Sequence, residues 1–300
     1  MRKDIVFDSM GLECRGWLYL PDGAAGAEEE AKLPVIVMAH GFSAVKEQIL
    51  PEIAERFANA DFAVVVFDYR FFGASEGKPR CQLFPLEMVE DYRNAITWAC
   101  QQTNVDPSRV GIWGTSYSGG LVAYTARVDR RVKAVVAQAP SVVNAEARRA
   151  MDPEKWESVG QFLIQDRIAR YETGAVNTMA VVAPEGEPCI LPGKECYDAF
   201  MELKELAPNW RNEITVESLE KIREFDPVSL IHMVSPTALL MIAAERDSLI
   251  ALDALTHAFD RAADPKKIIV LPIEHFEIYR DPWLSEATDN AVDWYREHLV

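Results

Sequence analysis

The sequence predicts an α/β protein, with a mostly parallel, doubly wound sheet that carries an inserted, mainly helical cap. The first observation is a set of continuous apolar runs, such as "LPVIVMAH" and "FAVVVFDY", which are typical of strands buried on both faces. The second is that these runs alternate with segments of helical periodicity, as parallel strands joined by helices require. The third is that the alternation stops after residue 140 and later resumes, which indicates an insertion.

The first 140 residues hold most of the predicted β/α units. A polar loop, "AAGAEEEAK", separates two short alternating strands from the first buried run. In chain order the predicted elements are strands "DIVFDS", "RGWLYLP" and "LPVIVMAH", helix "PEIAERFANA", strand "FAVVVFDY", helix "PLEMVEDYRNAITWACQQ", strand "RVGIWG", helix "GLVAYTARV" and strand "VKAVVAQAP". Pro140 ends the last of these strands.

Residues 141–225 lack the β/α repeat. Their helical segments include "DPEKWESVGQFLIQDRIARY" and "VESLEKIREF", and the stretch "APEGEPCILPGKE" separates them. The alternation resumes with strand "SPTALLMIAAERD", a helix near "LDALTHAFDRAA", strand "KKIIVLP" and a last helix "LSEATDNAVDWYREHL" after Pro282. We therefore predict a core of residues 1–140 and 226–300 and a cap of residues 141–225.

The composition argues against two classes of partner. The chain has 300 residues, of which 49% are hydrophobic, and this is enough for a large buried core. Its formal net charge of -16 is spread along the chain and would repel phosphate backbones and anionic lipid. Nucleic acid and membrane surfaces are therefore not expected as partners.

The N-terminal residues and the cysteines predict a cytoplasmic protein. The start "MRKDIVFDSMGLECRGWLYLP" has no continuous apolar stretch for a signal peptide, and no later run is long enough to span a bilayer. Five cysteines without metal-type CxxC spacing indicate free thiols in a reducing compartment. They are Cys14, Cys81, Cys100, Cys189 and Cys196. Without a GxGxxG, a P-loop pattern or a zinc cluster in the sequence, no cofactor and no metal are expected.

The heptapeptide "GTSYSGG", residues 114–120, follows the predicted strand "RVGIWG" and precedes a helix. A strained strand–turn–helix junction exposes a serine for nucleophilic attack, and small neighbours allow the strand and the helix to pass closely. Glycines flank Ser116 on both sides, although Ser118 stands where a second glycine is usual. A glycine-rich turn at a helix start is the simpler alternative for this stretch alone. We expect Ser116 to be a nucleophile if a base and an acid lie elsewhere.

Asp247 and His275 each follow a predicted strand downstream of Ser116. Functional side chains collect beyond the carboxyl ends of parallel strands, and the order Ser, Asp, His is typical of this junction. We expect His275 to be the general base and Asp247 to orient it and stabilise its charge. The competing carboxylates that the sequence leaves open are Glu245, Glu277 and Asp281.

The segment "MAHGFSAVKEQ" follows the first buried strand and precedes a helix. Such a junction supplies one backbone N–H donor to an oxyanion, and the residue after the nucleophile supplies the other. We expect these donors to be Phe42 and Tyr117, with Ser43 as the alternative to Phe42. His40 is expected to hold the loop. The remaining histidines, expected to be surface or packing residues, are His232, His257 and His298.

With these positions identified, the chain resembles the α/β-hydrolase superfamily over almost its full length. It is most similar to the dienelactone-hydrolase-like and polyketide thiohydrolase or acyltransferase-like branch. The resemblance is carried by "RGWLYLP", "VIVMAHGFSAVKE", "VVFDYRFFGASEGKPR", "GTSYSGG", "FDPVSLIHMVSPTALLMIAAERD" and "LPIEHFEIY".

The resemblance implies that Ser116, Asp247 and His275 form a catalytic triad. It also implies that "DYRFFGAS" is a fold-defining loop and that the cap lines an acyl pocket. Two residues depart from the pattern: Glu274 stands where relatives usually carry glycine, and Leu121 where close relatives often carry histidine. The first departure bears on how His275 is held, and the second on the substrate.

The cap carries apolar side chains at helical spacing that are candidates for a substrate pocket. We expect Trp156, Phe162 and Leu163 to contact the substrate, and Val159, Met179 and Trp210 are further candidates. The alternative is that these side chains form the core of the cap itself. Four arginines could meet an anionic substrate, although solvated helix charges are the simpler interpretation. They are Arg148, Arg149, Arg167 and Arg170.

Together these residues predict a serine hydrolase that cleaves a small-molecule carboxylic ester or thioester through an acyl-enzyme. The alternatives are an acyltransferase that uses the same acyl-enzyme and a hydrolase of carbon–carbon bonds. A binding protein on the same fold would not need the three residues in this order. A dinucleotide-binding fold is disfavoured because "AHGFSA" stands where its glycine-rich turn belongs. Association into a homo-oligomer is left open.

Overall fold

The computed structural model describes residues 1–22 and 32–300. Within these residues the chain forms ten β-strands and nine α-helices. The strands are β1 (Arg2–Ser9), β2 (Leu12–Tyr19), β3 (Leu33–Ala39), β4 (Ala63–Phe67), β5 (Val105–Thr115), β6 (Val132–Gln138), β7 (Thr178–Met179), β8 (Ile214–Thr215), β9 (Ala238–Ala244) and β10 (Lys266–Leu271). The helices are α1 (Leu50–Asn59), α2 (Pro85–Ala99), α3 (Tyr117–Val128), α4 (Ala145–Met151), α5 (Pro153–Thr173), α6 (Lys194–Leu206), α7 (Val216–Glu224), α8 (Leu252–Arg261) and α9 (Trp283–Leu299). The predicted polar loop lies outside the described residues except for Lys32.

Eight of these strands form one mostly parallel sheet in the order β1-β2-β4-β3-β5-β6-β9-β10. The strands from β4 to β10 in this order pair in parallel with their neighbours. At the other end, β1 pairs with β2, and β2 with β4, in the antiparallel sense. The predicted α/β class with a mostly parallel sheet is thereby confirmed.

Alternate residues of the central strands enter two separate cores, one on each face of the sheet. On β3, Val35 and Val37 belong to the first core, whereas Ile36 and Met38 belong to the second, and all four are fully buried. Side chains of a strand point alternately to opposite faces, so a strand covered on both sides must be apolar at every position. This is the physical origin of the continuous apolar runs in the sequence.

Helices cover both faces of the sheet. Ile53 of α1 and Leu284 of α9 pack into one core, and Tyr92 of α2, Leu121 of α3 and Leu255 of α8 pack into the other. Burial of a large apolar side chain stabilises the folded chain by about 1.5–3 kcal/mol relative to leaving it exposed. The amphipathic stripe of each helix is therefore the side that packs on the sheet.

The chain between β6 and β9 adds no strand to the large sheet. It contains α4 to α7 and the separate two-stranded antiparallel sheet β7–β8. Helices α5 and α7 match the predicted helical segments of the insertion, and α6 is a helix that the sequence analysis did not single out. Phe200 of α6 packs on Trp210 with 5.6 Å between ring centroids.

Three parallel strands of one half of the sheet, β5, β9 and β10, end at the same edge. The order β5-β6-β9-β10 brings together the loops that follow β5, β9 and β10. Ser116 follows β5 directly, Asp247 lies three residues after the end of β9, and His275 lies four residues after the end of β10. The topology thus brings three distant parts of the sequence to one edge.

Candidate active site

Ser116 occupies a strained turn between β5 and α3. Its φ and ψ angles are 53° and -120°, in a region that residues with side chains rarely adopt. Three hydrogen bonds hold its backbone: its N–H donates to the Gln138 carbonyl at 2.8 Å, and its own carbonyl accepts from the Ser141 N–H at 2.8 Å and the Gly119 N–H at 3.0 Å. The strain is therefore compensated by neighbouring structure, and the half-buried serine is fixed at the sheet edge.

The glycines beside Ser116 are required by close approaches of the backbone. A Cβ atom at Gly114 would lie 2.5 Å from the Ser118 carbonyl oxygen, and one at Gly120 would lie 2.4 Å from the Ser141 carbonyl oxygen. Both distances are too short for any side chain, so β5 can pass α3, and α3 can pass the segment after β6, only with glycine at these positions. This is the geometry that the heptapeptide predicted.

Ser118 bonds two buried tyrosines beneath the turn. Its hydroxyl lies 2.9 Å from the Tyr69 hydroxyl and 2.8 Å from the Tyr92 hydroxyl. Tyr92 also donates to the Trp113 carbonyl at 2.9 Å and accepts from the Ala39 N–H at 3.1 Å. In the sequence, Ser118 stands out only as a small residue in place of glycine. The network could not be predicted, because the tyrosines come from distant segments of the chain.

His275 connects the other two predicted residues. Its Nε2 lies 3.1 Å from the Ser116 Oγ, and its Nδ1 lies 2.6 Å from Asp247 Oδ2. The other carboxylate oxygen of Asp247 accepts from the N–H groups of Leu249 and Ile250, both at 2.8 Å. The His275 and Asp247 side chains are 1% and 2% exposed, so little water competes for these bonds. The structure brings Ser116, His275 and Asp247 into one hydrogen-bonded chain.

The carboxylates that the sequence left as competitors have other environments. Glu277 accepts from the Glu274 N–H at 2.7 Å, and Asp281 accepts from the Ser285 N–H at 3.1 Å. Glu245 is exposed after β9. The bond between Glu274 and Glu277 closes the turn that contains His275, which accounts for how the loop is held without the usual glycine.

The loop after β3 approaches Ser116 closely. A Cβ at Gly41 would lie 3.2 Å from the Thr115 carbonyl oxygen and 3.4 Å from the Ser116 Cβ. Phe42 follows in this loop, and its ring contacts the Tyr117 ring edge to face with 5.7 Å between centroids. The two residues predicted to donate N–H groups to an oxyanion are therefore in contact with each other beside Ser116. The alternative donor, Ser43, is buried and has a φ of 54°.

His40 lies beneath the same loop and outside the chain of Ser116, His275 and Asp247. It is 1% exposed, and its Nδ1 lies 3.0 Å from the Gly41 carbonyl oxygen. Burial lowers the pKa of His40, and the Asp68 carboxylate, 3.8 Å away, opposes this effect. These contacts fit the expected structural role.

The cavity around Ser116 is small, at about 50 Å³. Its walls come from the loop after β3, the loop that contains His275 and the insertion between β6 and β9. The lining residues from the insertion are Leu191, Phe200 and Leu203. The insertion therefore meets the cavity through α6 and the segment before it.

The three residues that the sequence analysis expected to contact substrate do not line this cavity. They belong to α5, which packs against α7. Trp156 lies under the Arg223 guanidinium, whose carbon is 3.4 Å from the ring centroid, Leu163 is buried, and Phe162 is 43% exposed. The alternative, that these apolar residues serve the fold of the insertion, accounts better for Trp156 and Leu163.

Two of the arginines on α5 form ion pairs within the insertion. Arg167 and Arg170 both pair with Glu220 of α7, and Arg170 also pairs with Asp166 at 2.7 Å. Both arginine charges are thus paired with carboxylates of α5 or α7. This agrees with the interpretation of these arginines as helix charges.

Within residues 1–22 and 32–300, no group of three or more His, Cys, Asp or Glu side chains is arranged to hold a metal ion. Among the helices of the same residues, none is long and apolar enough to cross a membrane.

The sheet topology, with a strained serine between β5 and α3 and a histidine and an aspartate after the last two strands, defines an α/β-hydrolase. A family model described as X-Pro dipeptidyl-peptidase (S15 family) matches residues 15–277. The chain belongs to this family.

Individual relatives cover most of the chain. A thiohydrolase, aneE, of Aspergillus aculeatus is 33% identical over 266 residues, which cover 86% of this chain and 80% of the relative. The polyketide transferase grgF of a Penicillium species is 26% identical over 303 residues, which cover 100% and 97%. The structure of DcsB in complex with its substrate analogue superposes with a TM-score of 0.88 at 28% identity and covers 100% of both chains. The protein is thus an enzyme of the α/β-hydrolase superfamily, a hydrolase that acts on ester or thioester bonds.

Proposed function

We propose that the protein hydrolyses a small-molecule carboxylic ester or thioester through an acyl-enzyme on Ser116. The observation that carries the proposal is the unbroken chain from the Ser116 Oγ to His275 at 3.1 Å and from His275 to Asp247 at 2.6 Å. A serine hydroxyl is a weak nucleophile until a base within hydrogen-bond reach accepts its proton. His275 is such a base, and Asp247 is the group that orients it.

In the first half of the reaction, His275 Nε2 accepts the proton of Ser116 as the Oγ attacks the substrate carbonyl. The Nδ1–H of His275 donates to Asp247, whose negative charge stabilises the imidazolium that forms. The imidazolium then returns the proton to the leaving alcohol or thiol, and an acyl group remains on Ser116. Asp247 keeps its own orientation because two backbone N–H groups hold its second oxygen.

The negative charge that develops on the carbonyl oxygen requires donors of its own. We assign this role to the backbone N–H groups of Phe42 and Tyr117, which flank Ser116 and come from the loop after β3 and the start of α3. Such donors lower the barrier because they are in place before the charge develops. In the second half of the reaction, His275 deprotonates a water molecule, which attacks the acyl group and releases the acid.

We further propose that residues 141–225 act as a cap that limits the acyl group. Phe200 and Leu203 on α6 line a cavity of about 50 Å³ together with Leu249 and Phe276, and the rings of Phe200 and Phe276 pack edge to face with 6.1 Å between centroids. This volume accommodates only a small group, so the cap geometry favours a short acyl chain.

Acyl transfer is a second candidate, because the relative grgF is a polyketide transferase. The same acyl-enzyme would form, and an alcohol or amine would replace water as the acceptor. The residues named above would keep their roles, and only the second nucleophile would differ.

Intact-mass spectrometry with a fluorophosphonate tests the nucleophile. We expect one adduct on the wild-type protein and none on Ser116→Ala. Ser248→Ala is the matched control, because Ser248 is exposed near Asp247 and bonds only to Glu195 at 2.6 Å among the described residues. An unlabelled folded wild type, or equal labelling of Ser116→Ala, would overturn the proposal.

Product analysis then separates hydrolysis from transfer. The enzyme is incubated with p-nitrophenyl esters and acyl thioesters of increasing chain length, with and without a competing alcohol. We expect free acid as the main product and the highest kcat/KM for short acyl groups. A predominant ester product at low alcohol concentration would favour the transferase instead.

A further inference from the structure

A second and larger cavity lies beside the loop after β3. Its volume is about 390 Å³, compared with about 50 Å³ for the cavity at Ser116. Its walls come from this loop, from the segment after β4 and from the part of the insertion that lies between α6 and β8. Its lining residues include Ser43, Phe72, Arg80, Trp210 and Arg211.

The loop after β3 separates the two cavities. Gly41, Phe42 and Ala44 line the cavity at Ser116, whereas Ser43 and Val45 line the second one. From Phe42 to Val45, successive residues of the loop therefore line the two cavities in turn. The second cavity is therefore a distinct space behind the proposed oxyanion loop, and a ligand there would not contact Ser116.

Two guanidinium groups give the second cavity a positive wall. Arg80 donates to the carbonyls of Gly73, Ser75 and Gly77, and it has no carboxylate within ion-pair distance among the described residues. Burial lowers the pKa of Arg80, and the charge of Arg211 contributes in the same direction. Arg211 has only a loose contact with Glu213, at 3.7 Å. The positive charge of the wall is therefore incompletely neutralised.

The carboxylate nearest to this wall in the core is already neutralised. Asp68 is fully buried, and its Oδ2 lies 2.7 Å from the Nζ of Lys46, which is 4% exposed. It also accepts from the N–H groups of Lys46 and Ala74. Asp68 does not line the cavity and cannot serve as the counter-ion of both arginines.

Ser43 provides an independent indication of a ligand. Its Oγ is buried and has no hydrogen-bond partner within the described residues, although the residue lines the cavity. Its backbone is held, because its carbonyl accepts from the Trp210 Nε1–H at 2.8 Å. A buried hydroxyl without a partner is costly, and a ligand oxygen that accepts its proton would remove this cost.

We propose that the second cavity binds a small organic anion, with a carboxylate or phosphate group at Arg80, Arg211 and Ser43 and a flat apolar body against Trp210 and Phe72. Guanidinium groups pair well with the planar or tetrahedral oxygens of such anions. Trp210 and Phe72 line the cavity beside these polar groups, so the site can contact the apolar body of an amphiphilic anion, which inorganic phosphate lacks.

Isothermal titration of the full-length protein tests the site with four probes: benzoate, phenyl phosphate, inorganic phosphate and the neutral amide benzamide. We expect saturable binding of benzoate or phenyl phosphate, weaker binding of inorganic phosphate and none of benzamide. Comparison of the two aromatic anions identifies the preferred head group. Binding of benzamide as tight as that of both anions would overturn the proposal.

Variants locate the binding. Arg211→Gln is expected to weaken the preferred anion about tenfold, since a charge-assisted hydrogen bond is lost. The matched control is Arg167→Gln, because both arginines are 59% exposed and contact a glutamate. Arg80→Gln should weaken binding of the anion further. If Arg80→Gln does not fold, Arg211→Gln alone tests the site.

The catalytic side of the loop provides the second control. His275→Gln, which alters only the cavity at Ser116, should bind the anion as the wild type does. Loss of binding in His275→Gln, or unchanged binding in Arg211→Gln, would overturn the assignment. Because the test measures binding rather than turnover, it stands whether or not Ser116 is the nucleophile.

Discussion

At the scale of single residues, Asp247 uses its two carboxylate oxygens for different purposes. Oδ1 accepts two backbone N–H groups of its own loop, and Oδ2 faces His275 at 2.6 Å. The loop after β9 thus fixes the carboxylate, and the carboxylate fixes the imidazole. Glu245 follows the same strand but is exposed, so the nearness of two acids in sequence does not make them equivalent.

We expect Asp247→Asn to lower kcat about 10³–10⁴-fold with little change in KM, because an amide cannot stabilise the imidazolium or fix its tautomer. Steady-state kinetics on the best substrate of the acyl panel measures the effect. Glu245→Gln, a change of the same kind two residues away, should retain wild-type activity. Equal losses in the two variants would contradict the assigned roles.

Ser118 is a second residue whose role depends on contacts that are remote in sequence. Its hydroxyl joins Tyr69 and Tyr92 in the core beneath Ser116. We expect Ser118→Ala to lower the free energy of unfolding by about 1–3 kcal/mol, because buried hydroxyls lose a partner. Urea denaturation measures this change.

A double-mutant cycle with Tyr69→Phe tests the network itself. Among the side chains of the described residues, the Tyr69 hydroxyl interacts by hydrogen bonds only with Ser118 and Tyr92. The double variant should therefore lose less stability than the sum of the two single variants. Strict additivity would mean that the hydroxyls do not interact.

At the scale of elements, α6 lines the cavity at Ser116, whereas the sequence predicted that side chains of α5 contact the substrate. Amphipathic spacing identified apolar residues on α5, but it could not tell which neighbour they meet. In the structure α5 packs against α7 with ion pairs from Arg170, whereas α6 brings Phe200 and Leu203 to the cavity at Ser116. Helical periodicity reports that a face is covered and carries no information about what covers it.

We expect Phe200→Val to extend the acyl preference of the enzyme to longer chains. The smaller side chain would enlarge the cavity, and each methylene that gains a place contributes about 1–3 kcal/mol of specificity. The ratio of kcat/KM for hexanoyl over acetyl esters should rise at least about tenfold. Phe162→Val on the exposed side of α5 is the control and should leave the ratio unchanged. An altered ratio in Phe162→Val alone would restore the original prediction for α5.

At the scale of the whole molecule, the core on one face of the sheet buries three of the thiols. All five cysteines are free, and Cys14, Cys81 and Cys196 are buried, whereas Cys100 and Cys189 are partly exposed. Burial raises the pKa of Cys14, and it raises the pKa of Cys81 and of Cys196 to about 11. The buried thiols therefore stay protonated and unreactive at neutral pH, because the thiolate is the reactive form.

We expect a disulfide reagent at pH 8 to modify at most two thiols of the native protein, with Cys189 first, and all five after unfolding in guanidinium. The release of thionitrobenzoate measures the count. Cys189→Ser should remove the fastest phase. Rapid reaction of more than two thiols in the native protein would show that the core that contains them opens readily.

The sequence by itself determined the α/β class, the order of the strands and helices along the chain, and the residue types at the ends of three strands. A strand that is buried on both faces must be a continuous apolar run, and a tight strand–turn–helix junction leaves no room for a Cβ atom and so requires glycine. Both features can therefore be recognised without a structure. The roles of Ser116, Asp247 and His275 were predicted from this order and are proposed here on the distances between them.

Only the tertiary structure decided which helix of the insertion reaches the cavity, which hydroxyls meet beneath Ser116 and how the loop after β3 separates two cavities. Tyr69, Tyr92 and Ser118 are far apart in sequence, and so are Arg80 and Arg211. Their contacts arise from packing between layers, which depends on the shapes of whole faces rather than on local periodicity. A single sequence therefore specifies what each segment is, and packing specifies what each segment touches.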